Sequence, residues 1–265
     1  MSTRRGVAVL GATGRLGALI VEHVLRADDL RLAAAITRRD HPQLGLDAGR
    51  LADGRHVGVP IRTIGHGCFG DADVVIDVSL AGGIVEAEPQ LLGRPLVAGV
   101  TGQSDAGHRV ISAHAAGAPV VVSSNFSSGL QVLADLVGRA ARLLPDYDVE
   151  IVEAHHRGKV DAPSGSALTL ASAAAAARGQ TLDHAVYGRH GRGPARGPEI
   201  AIHALRMGDV VGDHEVWLAG PGDRLRLGHV ATSRATFAVG ALRAARWVIG
   251  QTPGHYTMRD VIGLT

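Results

Sequence analysis

The sequence predicts an α/β protein in two parts: a parallel-sheet domain and a smaller α+β domain built on an open mixed sheet. Three observations predict it. Short apolar runs alternate with helix-like stretches through the first half, the pattern of βα units. From about residue 148 strand follows strand across Gly/Asp turns, the pattern of a mixed or antiparallel sheet. The chain has 265 residues, long for one core and comfortable for two.

Taken in order, VAVL (7–10) reads as a buried strand, followed by glycines and a helix over 15–27. Leu16, Leu19, Ile20, His23, Val24 and Ala27 keep helical spacing there. LAAAI (32–36), VVIDV (74–78), PLVAGV (95–100) and PVVVS (119–123) read as further buried strands, with helices over 83–92 and 104–116. DVEIVEA (148–154) alternates like a strand with one wet face. A polar segment then runs to Gly165, and an alanine-rich helix covers about 166–177. Residues 188–198 form a Gly/Pro/Arg-rich loop before the strands IAIHALR (200–206), EVWLA (215–219) and RLRLGHVAT (224–232). The tail over 235–249 is helical, with Phe237, Leu242, Ala245 and Ile249 as its buried stripe. No internal repeat or low-complexity linker marks a boundary, so the division near Phe126 rests on the change of pattern.

Composition narrows the function. Hydrophobic residues make up 46% of the chain, enough for a sizeable core. No run of 18 apolar residues is present, so no membrane span is expected. The opening MSTRRGVAVLGATG lacks the features of a secretory signal, and a cytoplasmic location follows by elimination. Cys68 is the only cysteine, which leaves no intrachain disulfide. Net charge is +2, the basic residues are scattered, and aromatics are only 3%. A nucleic-acid surface would need a basic stripe or stacking platforms, so no nucleic-acid partner is expected. The 27 basic residues are 26 arginines and one lysine, Lys159. A buried ammonium can lose a proton, whereas a guanidinium effectively cannot.

Gly11-Ala-Thr13-Gly14-Arg15-Leu16-Gly17 lies directly after VAVL and opens the first helix. Glycines permit the tight turn, and the helix N-terminus offers unpaired N–H groups to a pyrophosphate. Strand before, helix after and a second apolar strand at the expected distance point to a dinucleotide site in a Rossmann-like domain; the plainer reading is an ordinary strand–helix turn. The end of the second strand, where NAD-binding sheets place an acid for the ribose, reads Thr37-Arg38-Arg39-Asp40. Two guanidiniums suit a 2′-phosphate, so NADPH is preferred and NADH remains possible. The other reading leaves Arg38 and Arg39 solvated and gives Asp40 the ribose. Gly99-Val-Thr101-Gly102 and Ser123-Ser124-Asn125-Phe126, at later strand ends, also face the cofactor in this scheme. Phe126 either packs on the nicotinamide or fills core.

The densest polar cluster is Glu153-Ala-His155-His156-Arg157-Gly-Lys159-Val-Asp161-Ala-Pro163-Ser164-Gly165-Ser166. Ser164 reads as an N-cap, so the N–H groups of Gly165 and Ser166, with the Ser166 hydroxyl, form a carboxylate site. His155, His156 and Lys159 add donors and positive charge. The set suits a small anion that accepts a hydride and then needs a proton. The plainer reading is a capped helix with a solvated loop. No metal is expected: adjacent histidines diverge, no HExxH is present and Cys68 stands alone. His203, His214 and His229 fall on separate strands and read as structural or substrate-adjacent.

This segment resembles the dihydrodipicolinate reductase signature E-A/L-H-H-x-x-K-x-D-A-P-S-G-T-A. GATGRLG (11–17), GVTG (99–102), SSNFSSG (123–129), RMGDVVGDHEV (206–216) and HVATSRATFAVGALRAARW (229–247) extend the likeness. The resemblance implies NAD(P)H-dependent reduction of 4-hydroxy-tetrahydrodipicolinate to tetrahydrodipicolinate, in the diaminopimelate route to lysine. It implies His155 as acid/base, Lys159 as proton donor, and His156, Lys159, Gly165 and Ser166 on the substrate carboxylates. Gly11, Thr13, Gly14, Arg15, Leu16 and Gly17 would follow the pyrophosphate, and Gly99, Thr101, Ser124 and Phe126 the nicotinamide. It also implies a homotetramer, a dinucleotide-binding domain of 1–126 with 234–265, and a substrate-binding and oligomerisation domain of 127–233. Ser166 replaces the usual threonine, Thr37 the usual acid, and Met207 a small residue; the 188–198 loop has altered glycine spacing. Two other readings use the same residues. One is a sister reductase for another cyclic imino acid; the other is a non-catalytic NADPH-binding sensor, which would need no proton source.

Overall fold

The computed structural model describes residues 4–264. The chain divides into two compact units, Met1–Ser127 with Ala235–Thr265, and Ser128–Arg234. Among the described residues no helix is long and apolar enough to cross a membrane.

In the first unit, strands β1 (Arg5–Leu10), β2 (Leu30–Ile36), β3 (Ile61–Arg62), β4 (Val74–Asp77), β5 (Leu96–Ala98) and β6 (Pro119–Val122) join β12 (Gly254–Thr257). All pairings are parallel, in the order β12-β6-β5-β4-β1-β2-β3. The chain runs from β1 outward through β2 and β3, then returns to the other side of β1 with β4. That reversal opens a crevice at the carboxyl ends of β1 and β4, the usual ligand position in such sheets. Helices α1 (Arg15–Arg26), α2 (Gly83–Leu91), α3 (Asp105–Ala115), α6 (Ala235–Val248) and α7 (Met258–Ile262) complete the unit.

Both faces of this sheet are covered, which is why its strands are continuous apolar runs. Val7 and Val9 belong to one core cluster with Ile20 and Val24 of α1 and Ala241 and Leu242 of α6. Ala8 and Leu10 face the other cluster, with Ile84 and Leu91 of α2 and Val110 and Ile111 of α3. The split follows from side chains alternating along a strand. Each fully buried Val or Ile contributes about 1.5–3 kcal/mol relative to exposure.

The second unit holds α4 (Ser128–Leu143), β7 (Asp148–His155), α5 (Gly165–Ala177), β8 (Val186–Tyr187), β9 (Ile200–Arg206), β10 (Gly212–Ala219) and β11 (Arg224–Ala231). Its sheet has the order β11-β10-β7-β9-β8 and is mixed: β7, β9 and β8 run parallel, while β10 is antiparallel to both neighbours. Leu130, Leu133 and Val137 of α4 and Leu170, Ala171 and Ala174 of α5 pack on one face with Val149, Ile151, Ile202, Val216 and Leu218.

The mixed sheet agrees with the sequence reading, but α4 was not anticipated by it. Residues 130, 133, 134, 137 and 141 are buried along this helix, an i, i+3, i+4, i+7 stripe that was legible in the sequence. The short strands β3, β8 and β12 were also unforeseen. They have two to four residues each, too few to display a period.

Candidate active site

In the first unit the turn after β1 is built by exclusion of side chains. Gly11 has φ +88°, and a Cβ there would stand 2.7 Å from the Ser79 Cα, so both conformation and space require glycine. A Cβ on Gly17 would lie 2.0 Å from the Gly11 carbonyl oxygen, so the first turn of α1 sits directly against the loop. Gly14 is the N-cap of α1 and offers no side-chain cap, leaving early N–H groups of the helix for an anion. Arg15 and Leu16 open the helix itself.

The Gly11 and Ala12 N–H groups both donate to the Ile36 carbonyl at 2.9 Å. The Thr13 and Thr37 hydroxyls hydrogen-bond at 2.6 Å. Thr37 is buried, so the position that commonly carries a ribose-binding acid instead ties the β1 loop to the end of β2. A cleft of about 480 Å³ opens here, lined by Gly11, Thr13, Gly14, Arg38, Arg39 and Ser79 among others. Arg38 pairs with Asp40 at 3.3 Å and Arg39 with Glu86 at 3.2 Å; the two guanidiniums are 62% and 79% exposed. Such surface pairs are weak, so a phosphate could exchange for either partner. Beside the cleft, Asp77 is fully buried and burial pushes its carboxyl up. Its Oδ1 accepts from the Ser79 N–H at 3.0 Å and hydroxyl at 2.6 Å, which shapes the wall.

Gly99, Thr101, Ser124 and Phe126 follow β5 and β6 and do not line that cleft. Thr101 and Ser124 are exposed. Phe126 is only 2% exposed and belongs to the core. A Cβ on Gly99 would meet the Phe126 ring at 2.4 Å. Phe126 thus packs in the core with its ring against Gly99.

In the second unit β7 delivers a buried polar network. Glu153 is 0% exposed. Its Oε2 accepts from His155 Nδ1 at 2.6 Å and Arg206 Nη1 at 2.8 Å. Its Oε1 accepts from the Ser164 N–H at 3.0 Å and Arg206 Nη2 at 2.9 Å. Burial pushes the Glu153 carboxyl up, but Arg206, His155 and the Ser164 N–H together hold it below the usual range. Arg206 reaches it because β9 pairs with β7 in a register that sets Arg206 opposite His155.

Ser164 caps α5, its hydroxyl accepting from the Ala167 N–H at 3.1 Å. The same hydroxyl hydrogen-bonds His214 Nε2 at 3.3 Å. Register places His214 opposite Glu153 on one side and His229 on the other. His214 meets His155 edge to face at 5.2 Å and His229 at 6.3 Å. Burial, with His155 and His229 nearby, pushes His214 down to about 4. It is a neutral ring at ordinary pH.

Lys159 Nζ donates to both oxygens of Asp161 at 2.8 Å, and this bond holds the Asp161 carboxyl low. Gly165 and Ser166 open α5, with Gly165 exposed and His156 and Ser166 half-buried. His203 belongs elsewhere: it donates to Glu150 at 2.7 Å, which also takes Arg189 and Arg196 and so pins the 188–198 loop to the sheet. Among the described residues no three His, Cys, Asp or Glu side chains group as a metal site. Sequence reasoning named Glu153 in the cluster without a role, gave Arg206 none, and did not join His214 and His229 to His155. Only strand register brings these together.

A parallel sheet with a glycine-built crevice, and a second unit carrying a buried proton-bearing network, define a nicotinamide-dinucleotide-dependent oxidoreductase of two units. The chain belongs to the dihydrodipicolinate reductase family: residues 5–126 match the model of its N-terminus and 129–262 that of its C-terminus. It is 45% identical to the 4-hydroxy-tetrahydrodipicolinate reductase of Halorhodospira halophila, covering 98% of this chain and 99% of the relative. With the protein of the same name from Thiobacillus denitrificans it shares 46% identity over the whole of both chains. Among solved structures, the dipicolinate-bound dihydrodipicolinate reductase of Paenisporosarcina sp. TG-14 has the same fold, with TM-score 0.75, 21% identity and coverage of 98% of this chain and 100% of that one.

Proposed function

We propose that this chain reduces 4-hydroxy-tetrahydrodipicolinate to tetrahydrodipicolinate with NADPH in preference to NADH, in the diaminopimelate route to lysine. The observation that carries the reading is the end of β7, where the anchored His155 and the chain's single lysine precede the capped start of α5. Full-length relatives bearing that enzyme's name support the substrate. The dipicolinate held by the Paenisporosarcina protein is a planar dicarboxylate of the kind the α5 N-terminus suits.

The residues present fit a dinucleotide, since the Gly11 turn is one that a Cβ would fill. Gly11, Thr13, Gly14, Arg15, Leu16 and Gly17 would hold the pyrophosphate, and Arg38 and Arg39 the 2′-phosphate. Thr37 offers no carboxylate to repel that phosphate. Gly99, Thr101 and Ser124 would border the nicotinamide, with Phe126 behind Gly99. When bound, the reduced nicotinamide supplies a hydride. His156, Lys159, Gly165 and Ser166 bind the substrate carboxylates. The 4-hydroxyl leaves as water, with His155 serving as acid/base for that elimination, and Lys159 Nζ gives the one proton consumed as the substrate gains the hydride. The resemblance to the family supports a cytoplasmic homotetramer.

The test is a spectrophotometric assay on the product of dihydrodipicolinate synthase, run with each cofactor. Turnover with that compound above other cyclic imines, fastest with NADPH, is the expected result. Lys159→Ala should lower kcat by about two to four orders of magnitude. A change confined to KM would reassign Lys159 to binding, and binding of NADPH without turnover of any imine would overturn the reading.

A further inference from the structure

We infer that Glu153 is a positioning residue that holds His155 in the tautomer with hydrogen on Nδ1, so that Nε2 is the nitrogen that exchanges protons with substrate. The inference rests on the proposed acid/base role of His155 and adds the group through which that role is set.

Four observations carry it. Glu153 is fully buried and its two oxygens accept four donors: His155 Nδ1, the Ser164 N–H and two Arg206 nitrogens. Arg206 and the backbone N–H can only donate, so nothing in this set offers the carboxyl group a reason to carry a proton. An ionised carboxylate can only accept, so at 2.6 Å the hydrogen must sit on Nδ1. The partner is also charged, which makes the bond a strong one. On the far edge of the ring, which is buried with His155 8% exposed, Nε2 lies beside Gly212, where an added Cβ would stand 3.1 Å away. Glycine at 212 therefore leaves room at Nε2 that a side chain would take.

The same carboxylate does a second thing. By accepting from the N–H of Ser164, the N-cap of α5, it ties the strand end that bears His155 to the helix start proposed to grip substrate. One buried group thus sets both the direction of the imidazole and its place relative to the α5 N-terminus. Arg206 balances its charge, which a carboxylate out of contact with water requires. In the elimination, Nε2 of the neutral ring takes a proton from the substrate while Nδ1 keeps its hydrogen against Glu153, and the imidazolium so formed returns that proton to the departing 4-hydroxyl, which leaves as water; Lys159 remains the donor of the proton that accompanies the hydride.

The test compares Glu153→Gln, Glu153→Asp and His155→Gln in the full protein. The glutamine amide can present N–H to Nδ1 and so drives the hydrogen to Nε2. For Glu153→Gln, kcat should fall about a hundredfold or more, while KM for substrate and Kd for NADPH move by less than about threefold. Long-range proton–nitrogen spectra of histidine-labelled protein, assigned against His155→Gln, should show the Nδ1–H form in the parent and Nε2–H in Glu153→Gln. Glu153→Asp should keep the parent tautomer and recover part of kcat. Should Glu153→Gln fail to fold, Glu153→Gln with Arg206→Gln, which leaves neither charge buried alone, is read the same way. If His155→Gln loses turnover but Glu153→Gln keeps the parent kcat and tautomer, or changes KM alone, the role of Glu153 is overturned and that of His155 stands. If His155→Gln turns over like the parent, the acid/base assignment itself fails and this inference with it.

Discussion

His214 should make the fold acid-labile in a measurable way. Its ring is 5% exposed, and its protonation falls from 6.5 in the open chain to about 4 in the fold. Above pH 6.5 the ring is neutral in both states and favours neither. Between 6.5 and 4 the unfolded chain takes up a proton that the folded one refuses, so stability falls as pH falls. The gap is about two and a half pH units, worth roughly 3 kcal/mol at full extent. That is a large share of a typical 5–15 kcal/mol of stability. Protonation would also place a charge against the Ser164 hydroxyl that caps α5. The assay is urea unfolding of the protein and of His214→Gln at pH 7, 5.5 and 4, at one protein concentration. Every other titrating group is common to both, so the difference between them isolates the ring. The parent should lose roughly 3 kcal/mol more than the variant between pH 7 and 4. A difference that stays constant with pH would refute the argument.

Two further outcomes concern the first unit. Gly17→Ala would place a Cβ 2.0 Å from the Gly11 carbonyl. We expect a loss of about 1–3 kcal/mol, read as a lower Tm, with NADPH affinity reduced at least about tenfold because the turn must move; unchanged Tm and Kd would show that the turn yields freely. Arg38→Ala with Arg39→Ala should weaken NADPH by about a hundredfold, from two charge-assisted contacts of about 1.5 kcal/mol each. NADH should be nearly unaffected, and equal losses for both cofactors would remove the 2′-phosphate assignment.

Much of the fold could be read before any coordinates because its cause is local. The apolar runs at 7–10, 32–36, 74–78, 95–100 and 119–123 each hold a strand whose ends differ from the run by at most two residues. Ser164 caps α5 as its residue type and position imply. Gly11 and Gly17 are glycines because a backbone turn and a helix must touch, and that spacing is written in consecutive residues. α4 carries an equally local signal in Leu130, Leu133, Ala134, Val137 and Ala141.

Other features have no local cause. The packing of Phe126 depends on Gly99 and Gly240 arriving from distant segments. His155, His214 and His229 are isolated residues along the chain, and only the pairing of β7, β10 and β11 sets their rings side by side. Arg206 meets Glu153 because β9 pairs with β7 in one particular register. A shift of one residue would turn every side chain of that strand to the other face. The sequence by itself therefore determined the elements, the glycine turn and the residues able to carry protons. The tertiary structure decided which of those residues share a hydrogen bond, because register is settled by the burial of a whole face and not by any run of neighbours.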